Sequence, residues 1–187
     1  MPKRVLGAWF AALVCTFAQG VLAEESSGPS PSVVFTLTGE IGRSNRGPLD
    51  PFLDKMMVHQ GTKFEQAFEF DYAALDALGT QKVTVRGPNW PAAQEFEGPL
   101  VRDVLFAADV SSGELQPIGL DGYAPEIPYS DLEKWPVILA TKMNGRRLAV
   151  GGAGPVWVIY PRGNFPELAQ DDDSKWVWGI SHMRVGK

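Results

Sequence analysis

Glycine and proline interrupt this sequence so often that it cannot contain long helices. The chain of 187 residues holds 20 glycines and 15 prolines, which together approach a fifth of its length. Both residues are unfavourable inside helices and common in tight turns. Hydrophobic residues nevertheless make up 44% of the chain, enough for a packed core. The sequence therefore predicts a globular domain of short elements joined by turns.

The N-terminus has the organisation of an export signal. Lys3 and Arg4 precede an apolar stretch at 5–17, and small residues stand before the acidic pair that begins at Glu24. This order is typical of a secretory signal peptide, and the apolar run is too short to span a bilayer. We predict a signal peptide at 1–23, a flexible lead-in at 24–32 and one domain at 33–187, located in the periplasm without membrane insertion after cleavage.

Cys15, the single cysteine of the chain, lies within the predicted signal. An exported domain without it has no disulfide, no thiol nucleophile and no thiolate metal ligand, so its core must stabilise it. The formal net charge is −5, and it becomes −7 once Lys3 and Arg4 are removed. A general basic field that would bind nucleic acid or anionic lipid is therefore excluded. A small molecule or another protein is the expected partner.

Periodicity and turn residues predict a mixed, β-rich α+β domain. A capping box at Ser130–Glu133 and the pair Asn144-Gly145 are typical of a helix start and a hairpin turn. Asp71 is a predicted helix cap, and the turn Asp121-Gly122 is expected between two short strands. The strands are predicted at 33–38, 64–70, 82–86, 94–97, 138–143, 146–150, 156–160 (central in the sheet) and 175–185, and the helices at 52–57, 72–78, 99–108 and 130–135.

Aromatic and polar residues gather where predicted strands begin or end. A planar polar heterocycle needs apolar or aromatic faces and a few fixed donors and acceptors at its edge. Loops at strand ends can supply both because a rigid strand supports them. The candidates are Arg86, Asn89 and Trp90 after one strand, Tyr160 and Arg162 after another, and Lys175 with Trp176 at the start of the last. Trp157 and Trp178, by contrast, are interpreted as core residues.

Motifs for other chemistry are weak. The sequence has no nucleophile elbow, no Walker loop and no zinc-protease motif, and Gly151–Gly154 precedes a strand, so it is interpreted as a plain turn. His59 and His182 lie far apart in sequence, and we expect hydrogen bonds or solvent around them. Haem or metal binding through these histidines with Met56, Met57 or Met183 stays an alternative. The acidic run 171–173 is expected to face water.

Four ordered segments carry a resemblance to a known family. The stretches 96–105, 120–123, 138–145 and 154–161 resemble the molybdopterin-binding domain of the sulfite oxidase superfamily, and the likeness runs from about Val33 to the C-terminus. The resemblance implies a mixed domain with a pterin-cofactor pocket formed by loops at strand ends.

The resemblance also identifies a missing residue. Family enzymes hold their metal through a cysteine just after the strand that here reads Lys82–Val85, and in this chain Arg86-Gly87-Pro88-Asn89 follows. The chain is similar to small periplasmic members of the fold that bind a free pterin. Those members dock on the periplasmic domain of a membrane-bound cyclase/phosphodiesterase controlling cyclic di-GMP. The resemblance thus favours a non-catalytic ligand sensor with no metal site.

On this hypothesis Trp90 stacks on the pterin, and Arg86 and Asn89 contact its carbonyl and ring nitrogens. Asp121 pairs with the amino edge, whereas Tyr160, Arg162 and Lys175 close the pocket. A molybdopterin-dependent oxidoreductase subunit, which would hold its cofactor by pocket contacts alone, is the alternative from another class of function.

Overall fold

The computed structural model describes residues 32–87, 90–168 and 173–187 and has a mixed, sheet-rich architecture. The strands are β1 (Phe35–Gly39), β2 (Phe68–Phe70), β3 (Gln81–Val85), β4 (Gln94–Gly98), β5 (Glu114–Gly119), β6 (Ile127–Pro128), β7 (Ile138–Ala140), β8 (Lys142–Met143), β9 (Arg146–Arg147), β10 (Trp157–Ile159) and β11 (Ile180–Val185). The helices are α1 (Lys55–His59), α2 (Tyr72–Ala77), α3 (Val101–Ala107) and α4 (Tyr129–Lys134), with 3-10 turns at Arg162–Asn164 and Pro166–Leu168. The predicted signal peptide and most of the lead-in lie outside the described residues.

The principal sheet has five strands in the order β2-β1-β11-β5-β6. β1 and β11 run parallel, with Thr36 opposite His182, and the other neighbours are antiparallel. The last strand of the chain is therefore the central strand of this sheet. It is shorter than its alternating sequence predicts, because Gly179 adopts a φ of +61° that an extended strand does not accommodate.

Two smaller sheets complete the domain. β3, β4, β8 and β9 form an antiparallel sheet, and Asn144-Gly145 makes the predicted hairpin turn with positive φ at both residues. β10 pairs with β7 in a two-stranded sheet. The prediction of a central strand at 156–160 is therefore wrong: among the described residues this segment joins the principal sheet by one bridge, Val156 to Ile180. A long apolar run indicates that a strand is buried on both faces, but it does not indicate where in a sheet the strand lies.

One hydrophobic core joins the three sheets and the helices. Fully buried side chains come from each layer, including Phe35, Phe70, Phe96, Leu105 and Ile138. The described residues thus form a single domain, as predicted, and the fold class is confirmed. No helix in this part of the chain is long and apolar enough to cross a membrane.

The helix starts were predicted with mixed success. Asp71 caps α2 as expected, because its Oδ1 accepts a hydrogen bond of 2.7 Å from the backbone N–H of Ala74. The capping box is wrong, since α4 begins one residue before Ser130 and its N-cap is Pro128. β6 ends at this proline, whose extended backbone leads directly into the helix, so Ser130 lies inside the first turn.

His182 is fully buried at the centre of the principal sheet. Its Nε2 lies 2.7 Å from Thr62 Oγ1, and its Nδ1 lies 3.0 Å from Ser181 Oγ. Burial, followed by the charge of Arg184, lowers the pKa of His182 from 6.5 to about 4. Both ring nitrogens are thus engaged by hydroxyl groups in a neutral imidazole, the hydrogen-bonded state that the sequence predicts.

We expect His182→Gln to flatten the pH dependence of stability. Between pH 6.5 and about 4 the unfolded chain binds a proton at His182 that the folded chain does not, so the free energy of unfolding falls as the pH falls through this window. The loss amounts to roughly 3 kcal/mol across the window. Urea unfolding at stepped pH measures it. His59→Gln, at an exposed histidine, is the matched control. If the free energy of unfolding depends on pH equally in His182→Gln and in the wild type, the assignment of this pH dependence to His182 is wrong.

Candidate functional site

A cleft of about 570 Å³ opens where the loop after β3, the turn after β5, the turn before β10 and the segment before β11 meet. Five of its nine lining residues are aromatic. The lining consists of Trp90, Tyr123, Gly152, Ala153, Trp157, Asp173, Ser174, Trp176 and Trp178. We call this cavity the aromatic cleft. Its walls offer large apolar faces, and its polar groups lie on the 173–174 turn and on Tyr123.

Trp90 forms the base of the aromatic cleft. Its ring lies 5.7 Å from those of Phe96 and Trp157 and 6.1 Å from that of Trp176, centroid to centroid. The ring rests directly on Gly87, where a Cβ atom would come within 2.5 Å of it. The half-buried Trp90 therefore depends on a glycine just after β3, which explains why this residue type follows the strand.

Trp157 and Trp178 were predicted to be core residues; this interpretation is wrong for Trp178 and holds in part for Trp157, which packs against the core. Trp157 is half-buried and lines the aromatic cleft, with its Nε1 donating to the carbonyl of Trp176 at 3.1 Å. Trp178 is 47% exposed. For Trp178 the cause is the early end of β11: residues 175–179 are a loop, so alternation does not decide which of their side chains are buried.

Tyr123 lies at the lip of the cleft, 49% exposed. Its hydroxyl donates to the carbonyl of Ser174 at 2.9 Å and so fixes the 173–175 turn. Asp121, a predicted binding residue, is exposed and does not line the cleft; its Oδ1 accepts the backbone N–H of Tyr123 at 3.0 Å. Asp121 thus shapes the turn that presents Tyr123.

Three other predicted residues also support the lining from behind. The exposed Arg86 donates from Nε to the carbonyl of Trp90 at 3.2 Å. The guanidinium of Arg162 lies 4.8 Å from the ring centroid of Trp176, a cation–π contact. Lys175 lies between Ser174 and Trp176, and its Nζ contacts Asp131 Oδ2 at 2.7 Å. None of the three lines the aromatic cleft.

Tyr160 is a core residue, in contrast to its predicted place in the pocket. It is 1% exposed, and its hydroxyl donates to Asp131 Oδ2 at 2.8 Å. Asp131, on α4, therefore joins Tyr160 and Lys175 into a polar cluster beside the cleft. Sequence reasoning missed Asp131 because no local pattern indicates that a buried acid on one helix contacts a lysine in a distant loop. Asn89 lies outside the described residues.

Of the predicted binding residues that the structure describes, Trp90 lines the cleft and the other five hold lining segments in place or lie in the core. The residues that sequence reasoning missed include Tyr123, Gly152, Ala153 and Ser174. The turn at Gly151–Gly154 was correctly predicted as a turn. The sequence did not indicate that this turn lies beside Trp157 in the cleft. That position follows from the pairing of β10 with β7, which brings the turn next to the loop after β3.

The comparisons with known proteins identify the family. A family model described as the oxidoreductase molybdopterin binding domain matches residues 57–184, more than half of the chain, and the protein belongs to this family. A crystal structure of the sulfane dehydrogenase SoxCD from Paracoccus pantotrophus is similar at a TM-score of 0.55 and 13% identity. The similarity covers 82% of this chain and 38% of that chain, and it shows the fold alone. No curated protein matches.

The residues of this chain fit the ring of the family's cofactor but not its metal. The aromatic walls suit a planar heterocycle. At the position after β3 stand Arg86 and Gly87, and no cysteine occurs in residues 32–87, 90–168 or 173–187. In the same ranges no group of three or more histidine, cysteine or acidic residues is placed to hold a metal ion. A thiolate anchor for molybdenum is therefore lacking, and we derive no catalytic step through such a centre.

We expect Asp131→Asn to lower the free energy of unfolding by ~1–3 kcal/mol, because it removes the charge that holds Lys175 beside a buried tyrosine hydroxyl. The partial exposure of Lys175 keeps the effect below that of a fully buried pair. Urea unfolding measures it. Asp103→Asn is the matched control, since the Asp103 carboxylate is exposed and 3.9 Å from Arg102. Equal stabilities of the two variants would contradict a tethering role for Asp131.

Proposed function

We propose that this protein is a non-catalytic pterin-binding protein, and that the pterin is a ligand and not a redox cofactor. The observation that supports it most directly is the aromatic cleft itself: five aromatic side chains line a cavity of about 570 Å³ in a family that binds molybdopterin, without the thiolate. A bicyclic pterin needs apolar faces and a polar edge, and the described lining supplies both.

In this proposal the ring enters between the lip residues Tyr123 and Trp178 and lies over the base formed by Trp90. The exposure of both lip side chains leaves their faces available for stacking. The carboxylate of Asp173 would accept hydrogen bonds from the amino-pyrimidine edge, because that edge carries N–H donors.

The charge of the cleft favours a pterin without phosphate. Asp173 is acidic and none of the described lining residues is basic. Lys175 contacts Asp131, and Arg162 stacks on Trp176. By sequence, residues 88–89 and 169–172 contribute no lysine or arginine either. Molybdopterin carries a phosphate, which such a lining would leave without a counter-charge.

The signalling part of the proposal rests on the resemblance. We propose that the chain is exported to the periplasm and that the ligand-bound protein is read by the periplasmic domain of a membrane-bound cyclase/phosphodiesterase of cyclic di-GMP. The N-terminal residues 1–23 support export because of their signal-like order. A ligand shifts such a partner only through a difference in its affinity for two states of the complex.

The alternative function is a molybdopterin-dependent oxidoreductase subunit, which the family assignment favours. Metal analysis of protein purified from its native host separates the two proposals. We expect a metal-free pterin to be released on denaturation, detected by its fluorescence, whereas stoichiometric molybdenum would establish the alternative and overturn the ligand proposal.

Titration of the metal-free protein with neopterin should quench tryptophan emission, and Trp178→Ala should weaken binding roughly tenfold. Stacking of one aromatic ring on a heterocycle contributes about 1–3 kcal/mol, and ~1.4 kcal/mol corresponds to tenfold. Trp135→Phe is the matched control, because Trp135 packs on Tyr160 and Lys134 and does not line the aromatic cleft. Unchanged affinity in Trp178→Ala would show that the ligand does not enter here.

Neopterin triphosphate should bind at least roughly fivefold more weakly than neopterin, because its negative charge meets the carboxylate of Asp173. Asp173→Asn should narrow that difference, and the gap should shrink as salt increases. Isothermal titration calorimetry measures both affinities, with Asp103→Asn as the control. Tighter binding of the triphosphate would contradict the charge argument and favour a phosphorylated cofactor.

A further inference from the structure

Three exposed apolar side chains of the described residues line a second cavity, and three more lie on a segment that borders it. Nine large hydrophobic residues are exposed in this part of the chain; two of them, Tyr123 and Trp178, belong to the aromatic cleft, and Phe106 stands alone on α3. The remaining six are Val33, Phe52, Leu53, Met56, Val58 and Val150. Val33, Leu53 and Val150 line a cavity of about 520 Å³, and the other three lie on the 52–58 segment that forms one side of it. We call this cavity the apolar groove.

α1 has no role in the core. None of its five residues is buried, although three of them are Met56, Met57 and Val58. The helix is held instead by charge: Arg46 contacts the carboxylates of Asp54, just before α1, and Glu69, next to the end of β2. A short helix fixed by an ion-pair cluster while its apolar side chains stay accessible is typical of a contact surface, because burial does not explain those residues.

The apolar groove and the aromatic cleft share a wall. The turn after β5 places Tyr123 in the cleft and Leu120 in the groove. The turn before β10 places Gly152 and Ala153 in the cleft, and Val150 and Pro155 in the groove. The third segment runs from the loop before β11 into that strand. Its Trp178 lines the cleft and its Ser181 lines the groove.

Backbone hydrogen bonds join the three segments of this wall. The N–H of Leu120 donates to the carbonyl of Gly179 at 2.8 Å, and the N–H of Gly179 donates to the carbonyl of Ala153 at 3.0 Å. These bonds make the three segments one contiguous hydrogen-bonded connection between the cleft side and the groove side.

The charges of the apolar groove select among possible occupants. Two carboxylates, from Asp54 and Glu69, face one guanidinium, from Arg46, which leaves a surplus negative charge in the lining. A second copy would bring the same surplus against itself in a two-fold contact. An anionic lipid surface would be repelled by it and by the net charge of −5.

We propose that the apolar groove docks a segment of another protein that presents apolar side chains beside a basic one, and that occupancy of the aromatic cleft alters this docking through the shared wall. The proposal rests on the proposed function for the identity of the cleft ligand. The apolar side chains of the segment cover Leu53 and Val150, and its basic side chain meets the Asp54–Arg46–Glu69 cluster.

The probe for the groove is a fluorescein-labelled amphipathic helical peptide of leucine and lysine, compared with a leucine and glutamate peptide of the same pattern. Fluorescence anisotropy with the purified protein should give at least roughly tenfold tighter binding of the lysine peptide. Leu53→Asp and Val150→Asp should each weaken it roughly tenfold. Both side chains are at least 70% exposed, so the variants fold, and Phe106→Asp, equally exposed on α3, should bind as wild type.

Neopterin at a concentration that just saturates the wild type should change the affinity of the wild type for the lysine peptide at least roughly threefold. At that concentration the change should be smaller in Trp178→Ala, which binds neopterin roughly tenfold more weakly. If neopterin binds by tryptophan quenching but leaves the peptide affinity unchanged, the coupling is wrong. If neopterin does not bind at all, the proposed function fails, and the peptide variants still decide whether the groove is a docking surface.

Three outcomes would overturn the docking proposal. The first is equal binding of the two peptides, or equal binding by Leu53→Asp and Phe106→Asp. The second is a dimer in sedimentation velocity that Leu53→Asp dissociates, which assigns the groove to a second copy. The third is groove-dependent flotation with phosphatidylcholine vesicles, which assigns it to lipid.

Discussion

The early end of the central strand at Gly179 is the constraint on which the cleft depends. β11 contributes the middle of the principal sheet from Ile180 onward, and the positive φ of Gly179 turns the preceding residues out of the strand direction. Trp176 and Trp178 therefore become the wall of a cavity. An L-residue at position 179 would be strained in this conformation, so backbone chirality, more than side-chain size, decides where the sheet stops and the binding surface begins.

The same glycine connects the two cavities. Its carbonyl accepts from the N–H of Leu120, and its N–H donates to the carbonyl of Ala153. Three of the four segments around the aromatic cleft therefore also contribute residues to the apolar groove, and the loop after β3 lines the cleft alone. In the proposed function, this arrangement connects the ligand site to an exposed surface through adjacent segments, without a long pathway.

Two local sequence signals predicted local structure correctly, whereas the capping box at Ser130–Glu133 did not. Asp71 as a helix cap and Asn144-Gly145 as a hairpin turn are confirmed, since each acts on its own neighbours. The fold class and the family were also predictable, because several loose motifs in the right order constrain the chain together. The positions of Trp157, Trp178 and Tyr160 were not, because each depends on how strands distant in sequence pair. Alternation predicts two faces of a strand, and it gives no guidance once a positive φ ends that strand.

Three of the predicted binding residues lie just outside the cleft and contact residues that line it. Arg86, Asp121 and Arg162 each contact a residue that lines the cleft, respectively Trp90, Tyr123 and Trp176. These polar residues at strand ends thus lie beside the candidate cleft and contact the backbone or the rings of its wall. The lining itself offers aromatic faces and the carboxylate of Asp173. Lys175 and Arg162 are engaged by Asp131 and Trp176, and no described residue of the lining is basic, so the cleft offers a phosphate or another oxyanion no counter-charge. This charge pattern and the absence of a cysteine among the described residues are the two physical arguments behind the proposed unphosphorylated, metal-free ligand.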